Sequence, residues 1–232
     1  MSATDLDAAS PVTAAGTGAT GADSRWAAFS CRALDIVLSV PLLVVLAPVF
    51  ALIALTVRLD SPGRAIYRQK RLGRDLEAFT ILKFRSMRTD AGEARHREYV
   101  VGLIHGTVTE AGDGSMFKLT QDDRVTRVGA SLRRTSLDEL PQIWNVLRGE
   151  MSLVGPRPPL HYEVEEYRPA WFGRFAVKPG LTGLWQVSGR CELSVEEMIA
   201  LDLEYVRRRS LWVNVKILAR TLPVVLLGRG AA

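Results

Sequence analysis

The chain has 232 residues, 47% of them hydrophobic and 24% charged, with a formal net charge of +5. That length suffices for one core of domain size, and the basic balance favours acidic partners: nucleic acid, anionic lipid head groups or phosphorylated substrates. Two cysteines far apart in sequence, Cys31 and Cys191, form no metal-type pair and read as free thiols in a reducing compartment. His96, His105 and His161 show no ligand spacing.

Residues 1–24 are rich in Ala, Gly, Thr, Ser and Asp, with almost no large apolar side chains. Such a segment buries too little surface to offset its chain entropy, so it is predicted to be a disordered tail. From Ile36 to Val57 no residue is charged. That run of about 22 positions reaches about 33 Å as a helix, enough to cross a bilayer core. A buried core helix is the alternative, but such a helix rarely stays apolar all round. A secretory signal does not fit, because the run is too long and strongly basic residues follow it.

Pro41 and Pro48 interrupt the run, and proline kinks a helix by removing an internal hydrogen bond. Arg25 and Arg32 precede the run; Arg58, Arg64, Arg68, Lys70 and Arg71 follow it. The positive-inside tendency puts both ends on the cytoplasmic face. Residues 25–60 therefore read either as a re-entrant segment bending near Pro48 or as a kinked spanning helix. Asp35 is placed for an ion pair with Arg32.

Residues 61–232 carry the remaining elements. Ala65–Gln69 and Phe79–Phe84 flank the turn Leu72-Gly73-Arg74-Asp75 and predict a β-hairpin. Lys83 and Arg85 alternate with apolar residues, so both can share a strand face. Residues 87–123 read as mixed helix and loop. Residues 125–149 read as two helices around a sharp junction. Residues 193–209 predict a helix, and 211–228 an interfacial helix bearing Trp212, Lys216 and Arg220.

The sharpest chemical signal is Arg133-Arg134-Thr135-Ser136-Leu137-Asp138-Glu139-Leu140-Pro141. Two readings compete. Ser136 and Glu139 have capping-box spacing, and Asp138 as N-cap would place Pro141 harmlessly in the first turn. Alternatively, a carboxylate beside an anion-binding helix start can attack phosphorus, and its neighbour can hold Mg²⁺. Asp202 falls on the apolar stripe Val195, Met198, Ile199, Tyr205 and Val206. It reads as either a structural ion-pair member or a site acid. Arg157, between Pro156 and Pro158, suits a fixed phosphate fork. Arg190, after Gln186-Val187-Ser188-Gly189, is a weaker basic candidate.

Together these segments resemble the bacterial sugar transferase family, the monotopic polyprenyl-phosphate phosphoglycosyltransferases. The resemblance spans about Arg32 to Leu227. It rests on the Pro-broken apolar segment with Asp35, on Lys83–Met87 (KFRSM), and on Ser136–Pro158 (SLDELPQIWNVLRGEMSLVGPRP). Lys178–Arg190 (KPGLTGLWQVSGR) and Leu201–Val206 (LDLEYV) complete it. The resemblance implies a re-entrant membrane helix, with Asp138 as nucleophile and Glu139 as a Mg²⁺ ligand. Arg133, Arg157, Lys83, Arg85, Asp202 and Arg190 are then placed around the phosphates. Two departures stand out. Ala47 precedes Pro48 where some members have Ser, and residues 88–121 are longer than in the smallest members.

The expected protein is therefore mainly α with a small β-hairpin, a re-entrant membrane helix and interfacial amphipathic helices. It is expected on the cytoplasmic face of the inner membrane as a monotopic protein. The expected activity is transfer of a sugar 1-phosphate from a UDP-sugar to undecaprenyl phosphate, with Mg²⁺ as cofactor. UDP-sugar, undecaprenyl phosphate and membrane lipids are the expected partners, nucleic acid is not, and homo-oligomerisation is open. Two rivals remain: a membrane-anchored phosphohydrolase using Asp138 with water as acceptor, and a non-enzymatic basic adaptor at the membrane surface.

Overall fold

The computed structural model describes residues 21–88, 94–107, 123–189 and 193–226. Helix α1 (Gly21–Asp60) begins a few residues inside the predicted tail; the rest of that tail lies outside the described residues. The hairpin follows as β1 (Ile66–Leu72) and β2 (Ala78–Phe84). Next come α2 (Ala94–Ile104), α3 (Arg127–Thr135), α4 (Gln142–Arg148) and β3 (Ser152–Val154). The chain closes with α5 (His161–Val164), β4 (Gly180–Thr182), α6 (Val195–Arg208) and α7 (Leu211–Leu226). The mainly helical class with one hairpin is as the sequence predicts.

Helix α1 runs through both Pro41 and Pro48, so neither proline ends it. Cys31, Asp35 and Ser39 are buried near one end, Ile53 and Val57 near the other. Val44, Val45, Leu52, Leu55 and Leu59 are more than half exposed. Only 11% of the most apolar stretch is buried, which rules out the core-helix reading.

Both ends of α1 are tied to the same body. Arg32 donates to the Val146 and Leu147 carbonyls at 2.5 and 2.7 Å, satisfying carbonyls at the C-terminal end of α4. Asp35 accepts from the Leu153 amide at 2.8 Å and the Ser152 hydroxyl at 3.0 Å. At the other end Ile53 and Val57 pack with Ala65, Phe84 and Leu132.

The hairpin pairs antiparallel with Tyr67 opposite Lys83 and Arg71 opposite Phe79. Its outer edge at β2 does not stay open. Asn145 of α4, fully buried, accepts from the Leu82 amide at 3.0 Å and donates to the Thr80 carbonyl at 2.7 Å. One side-chain amide thus takes the place of a neighbouring strand and sets α4 against the hairpin.

A second small sheet pairs β3 with β4 in parallel, Ser152 to Gly180 and Val154 to Thr182. Gly180 is required by this crossing: a Cβ there would lie 2.0 Å from the Gly155 nitrogen. The main core joins Ile81, Val146, Met151, Val154, Tyr205 and Ile217 from the hairpin, α4, β3, α6 and α7. Helix α6 starts where the sequence implies, with Ser194 and Glu197 forming a capping box. Helix α2, within the long 88–121 stretch, packs Val100, Leu103 and Ile104 against Trp171, Trp185 and α6.

Candidate active site

The two helices around a sharp junction are α3 and α4, and the junction is a 3-10 turn, Leu137–Glu139. Neither capping arrangement anticipated from the sequence forms. Ser136 closes α3 in the left-handed region at φ 57 and makes no side-chain cap bond to the turn. Pro141, not Asp138, precedes α4 as its N-cap. The competition is decided by Ser136: a left-handed residue cannot also open a regular helix, so α3 and α4 stay separate. Asp138 and Glu139 are thereby held on a tight turn rather than spent on capping a helix.

Asp138 is 3% exposed. Glu139 reaches outward, with its side chain 26% exposed, and accepts from Lys83 Nζ at 2.9 Å. Arg133 is buried in the last turn of α3, just before the turn. The structure thus brings Lys83, Arg133, Asp138 and Glu139 to one region, through contacts of β2 and α3 with the turn.

Arg157 heads a second cluster. Its guanidinium donates to both oxygens of Glu163, at 3.0 and 3.4 Å. Glu163, 1% exposed, also accepts from the Leu160 amide at 3.1 Å and lies 3.5 Å from Arg71. Arg71 donates to the Pro158 carbonyl at 3.1 Å and to Gln69 at 2.8 Å. Burial pushes Glu163 up, yet Arg157 and Arg71 win and hold it below the usual carboxylate range. Burial, then Arg157 beside it, brings Arg71 down to about 10 against the pull of Glu163, Tyr162 and Glu139. Arg71 is the link: it shares a hairpin face with Lys83 and senses both the Glu139 and the Glu163 charge.

Asp202 sits behind this loop. It is buried and accepts from Arg174 at 2.6 Å. Arg174 also donates to the Arg157 carbonyl at 3.0 Å and to the Tyr167 hydroxyl at 2.6 Å. Burial pushes Asp202 up to about 6 even with Arg174 beside it. Asp202 is thus a member of an ion pair, and its link to Arg157 runs through Arg174.

Arg85 does not join either cluster. It lies past the end of β2, buried, and donates to the carbonyls of Val57 at 3.2 Å, Ser61 at 2.7 Å and Pro62. Those groups close the C-terminal end of α1, so this guanidinium caps a helix. The shared strand face expected for Lys83 and Arg85 therefore fails, because the strand stops at Phe84. Arg190 lies outside the described residues. Sequence reasoning missed Asn145, Glu163 and Arg174, and took Arg71 only as a flanking charge.

Among the described residues no group of three His, Cys, Asp or Glu side chains could cage a metal ion. Mg²⁺ does not need one: it is held by one or two carboxylates, with waters and substrate phosphates completing its shell. The adjacent carboxylates of Asp138 and Glu139, the latter partly exposed, fit that donor set.

Paired carboxylates ringed by guanidinium and ammonium groups are equipped to handle phosphate-bearing substrates. A sequence model of the bacterial sugar transferase family matches residues 26–228, and the chain belongs to that family. It is 44% identical over 203 residues to the UDP-galactose-lipid carrier transferase of Erwinia amylovora, covering 88% of this chain and 42% of that one. It is 44% identical over 200 residues to the UDP-glucose:undecaprenyl-phosphate glucose-1-phosphate transferase of Escherichia coli K12, covering 82% and 39%. It is 39% identical over 212 residues to the exopolysaccharide production protein ExoY of Rhizobium meliloti, covering 91% and 92%. The chain thus spans less than half the length of the first two and nearly all of the third.

Proposed function

We propose that this protein transfers a sugar 1-phosphate from a UDP-sugar to undecaprenyl phosphate and so starts a lipid-linked glycan such as an exopolysaccharide. The observation that carries the reading is the Asp138–Glu139 turn set against Lys83. Relatives named for UDP-sugar and lipid-carrier transfer support it.

A carboxylate oxygen of Asp138 attacks the sugar-bearing phosphorus of the UDP-sugar. The bond from that phosphorus to the bridging oxygen breaks, and UMP leaves with the electron pair. A phosphate oxygen of undecaprenyl phosphate then attacks the acyl phosphate and restores the carboxylate. Asp138 is nearly buried, so the turn has to rotate that side chain outward when the donor binds. Glu139 and Asp138 would hold Mg²⁺, which when bound neutralises charge on the diphosphate. Lys83 fixes Glu139 and adds a positive charge beside the transferred group. Arg157, gripped by Glu163 and Arg174, offers a preset fork for a phosphate.

On this reading α1 is the membrane anchor. Basic residues at both ends and attachment of both ends to one body support a segment that enters and returns to the cytoplasmic face. The exposed side of α7, with Leu211, Trp212 and Lys216, suits the head-group layer. A site at the interface reaches a soluble donor and a lipid acceptor together.

The test is UMP release by purified protein in lipid nanodiscs with Mg²⁺, a panel of UDP-sugars and undecaprenyl phosphate. Release is expected to require the acceptor and to vanish in Asp138→Asn. Acceptor-independent sugar phosphate release would identify a hydrolase instead, and undiminished activity in Asp138→Asn would refute the covalent step.

A further inference from the structure

A groove of about 410 Å³ between the C-terminal end of α1 and the start of β1 has no part in the proposed reaction. Its floor is apolar, with Ala54, Leu55 and Ile66, and Arg58, Arg64 and Arg68 stand around it. Among the described residues no carboxylate lines it. Among the described residues none of the three arginines has an ion-pair partner. Asp60, the nearest acid in sequence, accepts instead from the Val128 amide at 3.3 Å. Three like charges gathered over an apolar floor repel one another and focus a positive potential there. The matching ligand has an anionic head and an apolar chain. The exposed side chains of Leu52 and Leu55 continue the floor along α1, in the direction a chain would take.

Two lipids have that chemistry: the polyprenyl phosphate acceptor and an anionic phospholipid. The hairpin register separates them. Tyr67 is opposite Lys83, so these two share a face. Arg68 is the next residue along β1 and points to the other face. Lys83 reaches Glu139. A head group bound at Arg68 therefore lies on the hairpin face opposite Lys83, the residue that holds Glu139.

We propose that this groove binds one anionic phospholipid, with its phosphate among Arg58, Arg64 and Arg68 and a chain along α1, separate from the acceptor. The inference rests on the membrane reading of α1. The lipid phosphate offsets part of the repulsion in the cluster and fastens the outer side of the same helix end that Arg85 holds from within.

The test uses the full chain in phosphatidylcholine nanodiscs holding a minor fraction of phosphatidylglycerol, with native mass spectrometry counting retained lipids. Each arginine near an anionic head group contributes about fivefold. Wild type is expected to retain one phosphatidylglycerol with a preference of about tenfold or more over phosphatidylcholine. The R58Q/R64Q/R68Q variant is expected to lose that preference while keeping wild-type UMP release in pure phosphatidylcholine discs. Arg64→Gln alone, on the exposed loop after α1, is expected to lose about fivefold and serves if the triple variant does not fold. Lys83→Gln is expected to keep the preference. Equal retention by wild type and the arginine variants overturns the groove, as does stoichiometric displacement of phosphatidylglycerol by undecaprenyl phosphate. Wild type that stays in the discs without lipid preference overturns the groove alone. Wild type that leaves the discs overturns the membrane reading as well.

Discussion

Replacing Glu163 by Gln is the sharpest test of how the Arg157 loop is held. Glu163 is buried and serves two guanidiniums and one amide: Arg157 at 3.0 Å, Arg71 at 3.5 Å and the Leu160 amide at 3.1 Å. The substitution keeps the shape and removes the charge. It leaves two buried cations without their common anion and turns an amide NH₂ toward one of them. Removing one partner of a buried pair costs about 3–5 kcal/mol. Solvent screening discounts this little, because Arg157 and Arg71 are themselves only 20% and 9% exposed. In a chain of this size each kcal/mol moves the midpoint about 2–4 °C, so Tm is expected to fall by about 6–20 °C. Thermal unfolding in detergent near neutral pH measures this. The acid limb provides a second reading. The folded carboxyl titrates below its unfolded value, which lies near about 4.3. Its stabilisation is therefore full above that value and is lost as pH falls through it toward the folded pKa. Wild type should lose more stability than Glu163→Gln across this window. A Tm change under about 2 °C, with parallel acid limbs, would mean that Glu163 does not clamp the loop by charge.

Arg85 and Lys83, two residues apart in sequence, are expected to fail in opposite ways. Arg85→Gln strips three carbonyls of their donor and should cost about 2–4 kcal/mol of stability, with the KM for the nucleotide sugar unchanged. Lys83→Gln loses a partly exposed pair worth under about 1 kcal/mol, yet should cut turnover more than about tenfold. Thermal melts beside steady-state kinetics separate the two. Gly129→Ala is expected to abolish soluble folded protein or to cost more than about 4 kcal/mol, because a Cβ there would lie 2.0 Å from the Ser86 carbonyl oxygen. Ala130→Gly, on the exposed side of α3, should cost about 1 kcal/mol by comparison.

Features written in short stretches of chain were legible from the sequence alone. The hairpin follows from two β-like runs around Gly73, and α6 from the apolar stripe Val195, Met198, Ile199, Tyr205 and Val206. The apolar α1 follows from composition, and the separation of α3 from α4 from a polar junction ending in Pro141. Each depends on backbone preferences and side chains within a turn or two of one another. The carboxylate pair at 138 and 139 was visible for the same reason, though its geometry was not. Ser136 takes a left-handed conformation that no local pattern announced, and this decides whether Asp138 caps a helix or sits on a turn.

What tertiary structure alone decided is which charges meet. Lys83 and Arg85 look equivalent along the strand, yet one reaches Glu139 and the other caps α1, because β2 ends between them and α1 returns there. Glu163 and Arg174 carry no local pattern that singles them out in the sequence. Glu163 lies six residues from Arg157 but also serves Arg71 of the hairpin, and Arg174 reaches both the Arg157 carbonyl and Asp202 of α6. Burial makes those few contacts strong and gives every charge a required partner. Which partner it finds depends on the path of the whole chain, and no window of sequence holds that information.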